Sequence, residues 1–227
     1  MMNVFQKYHI IQNFPEGYPL IKKIRDNLVF LVCSMIIHPR ENLISPEDIR
    51  EVTRKLRKGD VVLVGLLNTL FGNVMGDAVT HSLIYTGNKR FIHSQPAHGV
   101  EYISLHSVLT EYDTIAILRL PSNVKNRKKL IRNSIEYAKK QLHKPYNFDF
   151  KEGEKCLFCT QLVNDSYLHA GYKTGLASIK HQDSFKKKVE EAVSKAIDAL
   201  RTEDMTGGNF EVVFLSHNLE IKNKKLF

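Results

Sequence analysis

The chain has 227 residues and a mass of 26.1 kDa, which suits one globular domain with at most a short appendage. Apolar residues make up 43%, enough for a packed core and too many for a disordered chain. The formal charge is +9, but the lysines are spread out with little aromatic interleaving and no nucleic-acid-binding motif, so a solvated basic surface is expected and no nucleic-acid partner.

At the start, MMNVFQKYHIIQNF has neither the charged nor the apolar segment of a secretory leader. Three cysteines, Cys33, Cys156 and Cys159, cannot build a disulfide framework. Both features point to a reducing, cytoplasmic location, with export by a specialised system left open. Residues 19–37 read as an apolar helix closed by Pro39, because proline cannot continue the hydrogen-bonded turn. Its apolar run, Leu28 to Ile37, is about half the ~20 residues a membrane span needs. A buried helix is expected, or one lying on a membrane surface. A second helix opens at Ser45-Pro46-Glu47-Asp48: serine caps, proline fits the first turn, and the acids favour the positive end of the dipole. It should end near Arg57.

The period then changes. GDVVLVGLL (59–67), THSLIYTG (80–87), KRFIHSQ (89–95), VEYISL (100–105) and TIAILRLP (114–121) are short and rich in β-branched and aromatic residues, as in an antiparallel sheet or small barrel. Gly87-Asn88 marks a hairpin. Residues 124–142 return to helical spacing, with Ile131, Ile135, Ala138 and Leu142 on one face. After the loop HKPYNFDFKEGEK, a helix begins near Cys159 and ends at Gly171. A charged helix (184–201), a break at Gly207-Gly208 and a last strand (210–216) complete an α+β chain. Residues 1–54 read as an N-terminal helical extension and 55–227 as the main domain.

Chemistry concentrates on Cys159. A thiol attacks as its thiolate, and two things favour that form: the amides of a helix N-terminus and a nearby imidazole. Cys159 begins a helix. His81 lies in an alternating strand that would hold its ring rigidly, and His93 on the next strand can bond the far ring nitrogen and set the tautomer. Amides at the helix start can donate to an oxyanion, so the group suits acyl transfer through a thioester. Cys156-x-x-Cys159 also invites zinc or dithiol chemistry. No second Cys/His pair has zinc-finger spacing, however, and the surroundings are not βαβ, so neither metal nor organic cofactor is expected.

The order KGDVVLVG, THSLIYTG, FIHSQPAHGVEYISL, KPYNFDF, CLFCTQLV resembles the permuted NlpC-type, papain-like superfamily, and within it the YiiX/YebB-like branch, to which lecithin:retinol acyltransferase relatives are similar. Ordinary papain-like enzymes place cysteine first; here it follows the sheet. The resemblance spans roughly residues 55–171 and implies a circularly permuted papain-like fold, Cys159 as nucleophile, His81 as base and His93 as the polar residue that orients it. YiiX-like members often carry an acid at that third position. The resemblance also places Tyr146 of KPYNFDF near the pocket, where it would assist the oxyanion or bind substrate. A thiol hydrolase of the amidase or peptidase kind is expected. Lipid acyl hydrolysis or transfer at the same site, or a silent domain docking on an acidic partner or membrane, remain the alternatives. The substrate would be a small-molecule, peptide or lipid acyl compound.

Overall fold

A computed structural model describes residues 11, 13–33, 44–67, 79–148, 153, 155–174, 209–222 and 225–226. Helices α1 (Leu20–Cys33) and α2 (Pro46–Lys55) precede β1 (Val61–Gly65), β2 (His81–Gly87), β3 (Arg90–Gln95) and β4 (Gly99–Ser104). Then follow α3 (Leu105–Glu111), β5 (Thr114–Arg119), α4 (Arg127–Lys140), α5 (Cys159–His169), β6 (Glu211–Leu215) and a short pair, β7 (Ile221–Lys222) with β8 (Lys225–Leu226). The expected charged helix at 184–201, the Gly207-Gly208 break and the end of the first helix beyond Cys33 lie outside the described residues.

Six strands form one antiparallel sheet in the order β4-β3-β2-β1-β5-β6. The sheet is open, with β4 and β6 at its edges, so the barrel alternative is set aside in favour of the sheet. Helices cover both faces. Val61, Leu63, Ile84, Ile92 and Leu118 pack with Leu130, Ile135 and Ala138 of α4 and Leu162, Val163 and Tyr167 of α5. Val62, Val64, Leu83, Phe91, Ile115 and Ile117 pack with Val52 of α2 and Leu105 and Val108 of α3. Central strands buried on both sides read as unbroken apolar runs, which is why VVLV shows no alternation.

The hairpin between β2 and β3 turns at Asn88 and Lys89, both with positive φ (52° and 55°), one residue later than Gly87-Asn88. Short helix α3 escapes the periodicity of LHSVLTE because it is two turns long. Its signal is Ser104, whose side chain caps the Ser107 amide.

Gly59-Asp60 is a structural hub. Asp60, 1% exposed, accepts from Arg119 Nε (2.8 Å) and Nη2 (2.7 Å) and from the Arg57 amide (2.7 Å). Arg119 also donates to the Lys55 carbonyl, so one ion pair ties the end of α2 to β1 and β5. Gly59 has φ +89°, and a Cβ there would stand 2.4 Å from Ile131 Cγ2 of α4, so only glycine fits. The Tyr167 hydroxyl of α5 donates to its carbonyl. Removing Arg119 leaves the Asp60 carboxylate buried without its cation, whereas Arg119 itself is partly exposed. Arg119→Ala should therefore lower the unfolding free energy by about 3–5 kcal/mol. Urea denaturation would show this as a lower midpoint with unchanged slope.

Candidate active site

Pairing between β2 and β3 runs from Gly87/Arg90 to Ile84/Ile92 and goes no further. Beyond it His81 and Ser82 pair with β1, while His93, Ser94 and Gln95 pair with β4. The sheet therefore forks, and the start of α5 is fastened at the fork. Ser94 Oγ donates to the Leu157 carbonyl at 2.5 Å, and Leu157 forms a parallel bridge with Tyr146. The Leu157 amide donates to the Pro145 carbonyl (3.1 Å), and the Asn147 amide returns to that of Leu157 (3.3 Å). Asn147 and Gln161 side chains brace the same loop against α5.

Cys159 is the first residue of α5 and is fully buried. Phe158 holds the cap position and offers the first-turn amides no side-chain acceptor. The amides of Cys159 and Thr160, with the amide and hydroxyl of Ser82, all favour a thiolate at this sulfur. Among the described residues Ser82 Oγ has no partner at strict hydrogen-bond geometry. Burial nevertheless outweighs these donors and pushes the thiol up to about 11. The expected helix-terminus activation is present but loses to desolvation.

His81 and His93 meet across the fork, with His81 Nε2 2.8 Å from His93 Nδ1 and the rings nearly perpendicular at 74°. Withdrawal from water, and then the charge of His93, hold the His81 pKa well below 6.5. No hydrogen bond joins His81 to the Cys159 thiol among the described residues. The ring of Tyr112, which follows α3, lies parallel to His81 at 6.0 Å. Burial, Glu111 and then a Cys159 thiolate would all keep the Tyr112 hydroxyl protonated. Tyr146 is buried too, and burial followed by the field of Cys159 raises its pKa well above 10. The fork thus sets His81 against His93 and places Ser82, the neighbour of His81, beside Cys159, whose field also reaches Tyr146.

A model of one family matches residues 55–214: the permuted papain-like amidase enzymes, YaeF/YiiX, C92 family. The chain belongs to that family. It is therefore grouped with thiol hydrolases of the amidase kind. In fold it is similar to the crystal structure of the metalloprotein yiiX from Escherichia coli O157:H7, with a TM-score of 0.50 and 16% identity over 70% of this chain and 96% of that one. At this identity the likeness concerns fold alone. No curated protein matches the chain.

Two residues of the site escaped the sequence reading. Glu101 on β4 pairs directly with His93, and its Oε1 stands 3.7 Å from His93 Nε2. The Gln95 amide also donates to that oxygen. Register could have found it: counting back from the loop PAHG places Glu101 opposite His93. Tyr112 gave no signal, since nothing in TEYDT distinguishes it from a loop residue.

Two pH effects follow. Because the thiol titrates near 11, alkylation of Cys159 should still climb above pH 9. Peptide mass spectrometry across pH would read it, and a plateau near neutrality would show instead a preformed thiolate–imidazolium pair. His81 is held neutral when folded but can protonate near 6.5 once unfolded, so the unfolded chain binds more protons below that pH. Stability should fall as pH drops through 6.5, and His81→Gln should flatten that slope in urea titrations.

Proposed function

We propose that Cys159 is the nucleophile of a thiol amidase, His81 its general base and His93 the residue that positions the base. The observation that supports this is the His81–His93 contact beside the start of α5. Its protonation pattern follows from its neighbours. Glu101 favours a proton on His93 Nε2, which leaves His93 Nδ1 an acceptor and makes His81 Nε2 the donor. His81 Nδ1 then carries the lone pair. That nitrogen takes the thiol proton as sulfur attacks the carbonyl carbon, and the carbonyl π electrons move to oxygen. Collapse of the tetrahedral intermediate expels the amine, which leaves with the proton returned by His81. Water repeats the sequence on the thioester, releasing the acid and the thiol.

With a thiol near 11 and a depressed imidazole, the resting pair is neutral, and proton transfer is coupled to attack. The amides of Cys159 and Thr160 are the oxyanion donors in this reading, with the buried Tyr146 hydroxyl at the pocket wall. Amide substrates are preferred to lipid esters because the family is one of amidases. An intact Cys, His and His set also speaks against a silent domain.

The yiiX neighbour is described as a metalloprotein. Among the described residues of this chain, no group of three or more His, Cys, Asp or Glu is arranged to hold a metal ion. His81 and His93 also each commit one ring nitrogen to the other. In this reading every step above falls to side chains and backbone amides.

Trapping the acyl-enzyme tests the reading. A panel of activated amides and esters should leave one acyl group on Cys159, assigned by fragmentation against the neighbouring Cys156. Cys159→Ala should abolish it, His81→Gln should slow acylation by roughly 10²–10⁴-fold, and Cys156→Ser should leave it intact. Glu101→Gln should lower the rate less, with its largest effect on the acid limb of the pH profile. Acylation that persists in His81→Gln at the wild-type rate would remove His81 from the mechanism.

A further inference from the structure

Helix α1 is inside out. A surface helix ordinarily turns its apolar arc to the protein and its polar arc to water. In α1 Asp26 and Asn27 turn inward, while Arg25 stays exposed. Asp26 is buried and accepts from the Tyr18 hydroxyl (2.6 Å) and from Arg25 Nε (2.7 Å). Asn27 accepts from the Ile11 amide at 2.7 Å and donates to the Lys23 carbonyl at 2.9 Å. The apolar residues turn outward: Leu20, Ile21, Ile24 and Leu28 are between 60% and 82% exposed, and Leu31 is 44% exposed. At about 100° per residue these five share one arc. Six of the nine exposed large hydrophobic residues among the described residues lie on this one helix, so the exposure is a contiguous face rather than scatter.

Charge selects what covers that face. Lys23 and Arg25 fall on its two borders, and the one carboxylate of the helix, Asp26, is buried and already engaged by Arg25. A second copy would bring these cations together in a chain of charge +9. An anionic surface would be drawn to them. No described helix is long and apolar enough to cross a bilayer. We infer that α1 lies in the headgroup layer of an anionic lipid bilayer, with Ile21, Ile24, Leu28 and Leu31 inserted and Lys23 and Arg25 at the phosphates. Phe14 and Tyr18, which lead into α1, pack on Phe148 at 5.1 and 6.1 Å, and Phe148 packs on Tyr146 at the site. One aromatic cluster therefore links the segment leading into α1 to Tyr146. The inference stands whether or not Cys159 is a nucleophile.

Flotation of the full chain with vesicles of phosphatidylcholine, alone or with about 30 mol % phosphatidylserine, tests it. Binding should require phosphatidylserine and weaken with added salt. The double variant Ile24→Ser/Leu28→Ser should bind roughly 10–100-fold more weakly. Both side chains are exposed, so its unfolding midpoint should not fall, and Leu20→Gln/Ile21→Gln at the helix start should act in the same direction. The inference is overturned if the chain ignores phosphatidylserine vesicles or if both variants bind as wild type does. It is equally overturned if sedimentation without lipid reveals a dimer that either variant dissociates.

Discussion

The parting of β2 from β3 beyond Ile84 and Ile92 is the constraint on which the site depends. Had the two strands stayed paired, the amide of Ser82 and the side chain of Ser94 would lie within a continuous sheet. Because they part, Ser94 fastens the peptide just before Cys159, and Ser82 addresses the sulfur itself. The fork also lets His81 and His93 reach one another across the gap with their ring edges rather than through a backbone ladder. A helix start, a free strand end and a histidine pair are thereby locked to one another by hydrogen bonds. Rigid elements of this kind position reacting groups better than loops do.

Burial sets the electrical character of that site. Desolvation raises the thiol and lowers the imidazole, so each group favours its neutral form at physiological pH. Local donors work against this at Cys159, whereas at His81 the nearby His93 reinforces it. Both groups are thus uncharged at rest, and an ion pair at this depth would have to offset a large desolvation penalty. In the proposed reaction charge would appear as the thiol is consumed. Helix amides face the sulfur, and the chain from His81 through His93 to Glu101 ends on a carboxylate.

Much of this was legible in the sequence because it rests on local signals. Strand and helix boundaries followed the change from a period of two to 3.6, and Ser45 with Asp48 forms the capping box that their spacing announces. Cys159 at a helix start and His81 on a strand were read from their immediate neighbours. What stayed hidden depends on tertiary register or on desolvation. Glu101 required knowing that β3 and β4 pair with His93 opposite it. The upward shift of Cys159 required knowing that the helix start is buried rather than merely present. The inverted face of α1 was hidden for a related reason: an apolar arc has the same sequence pattern whether it meets a core or the outside. The open sheet, likewise, is a property of its two edges, which no single strand encodes.

Register at the site is fixed from the far end of the hairpin. Gly87 and the positive-φ pair Asn88 and Lys89 make a tight turn, and Thr86 Oγ1 donates to the Arg90 carbonyl across its base. The pairing shifts between Tyr85 and Gly87, one irregularity that brings Ile84 opposite Ile92. Side chains alternate along a strand, so slipping either partner by one residue would move its histidine to the other face. His81 would then lose His93, and His93 would lose Glu101. The same slip would carry Leu83 or Phe91, both fully buried, from one helix-covered face to the other, where Ile84 and Ile92 now pack, so the hydrophobic core and the histidine contact select the same register. The geometry of the candidate site is thus held by apolar packing several residues away, and the histidines need not supply that ordering themselves.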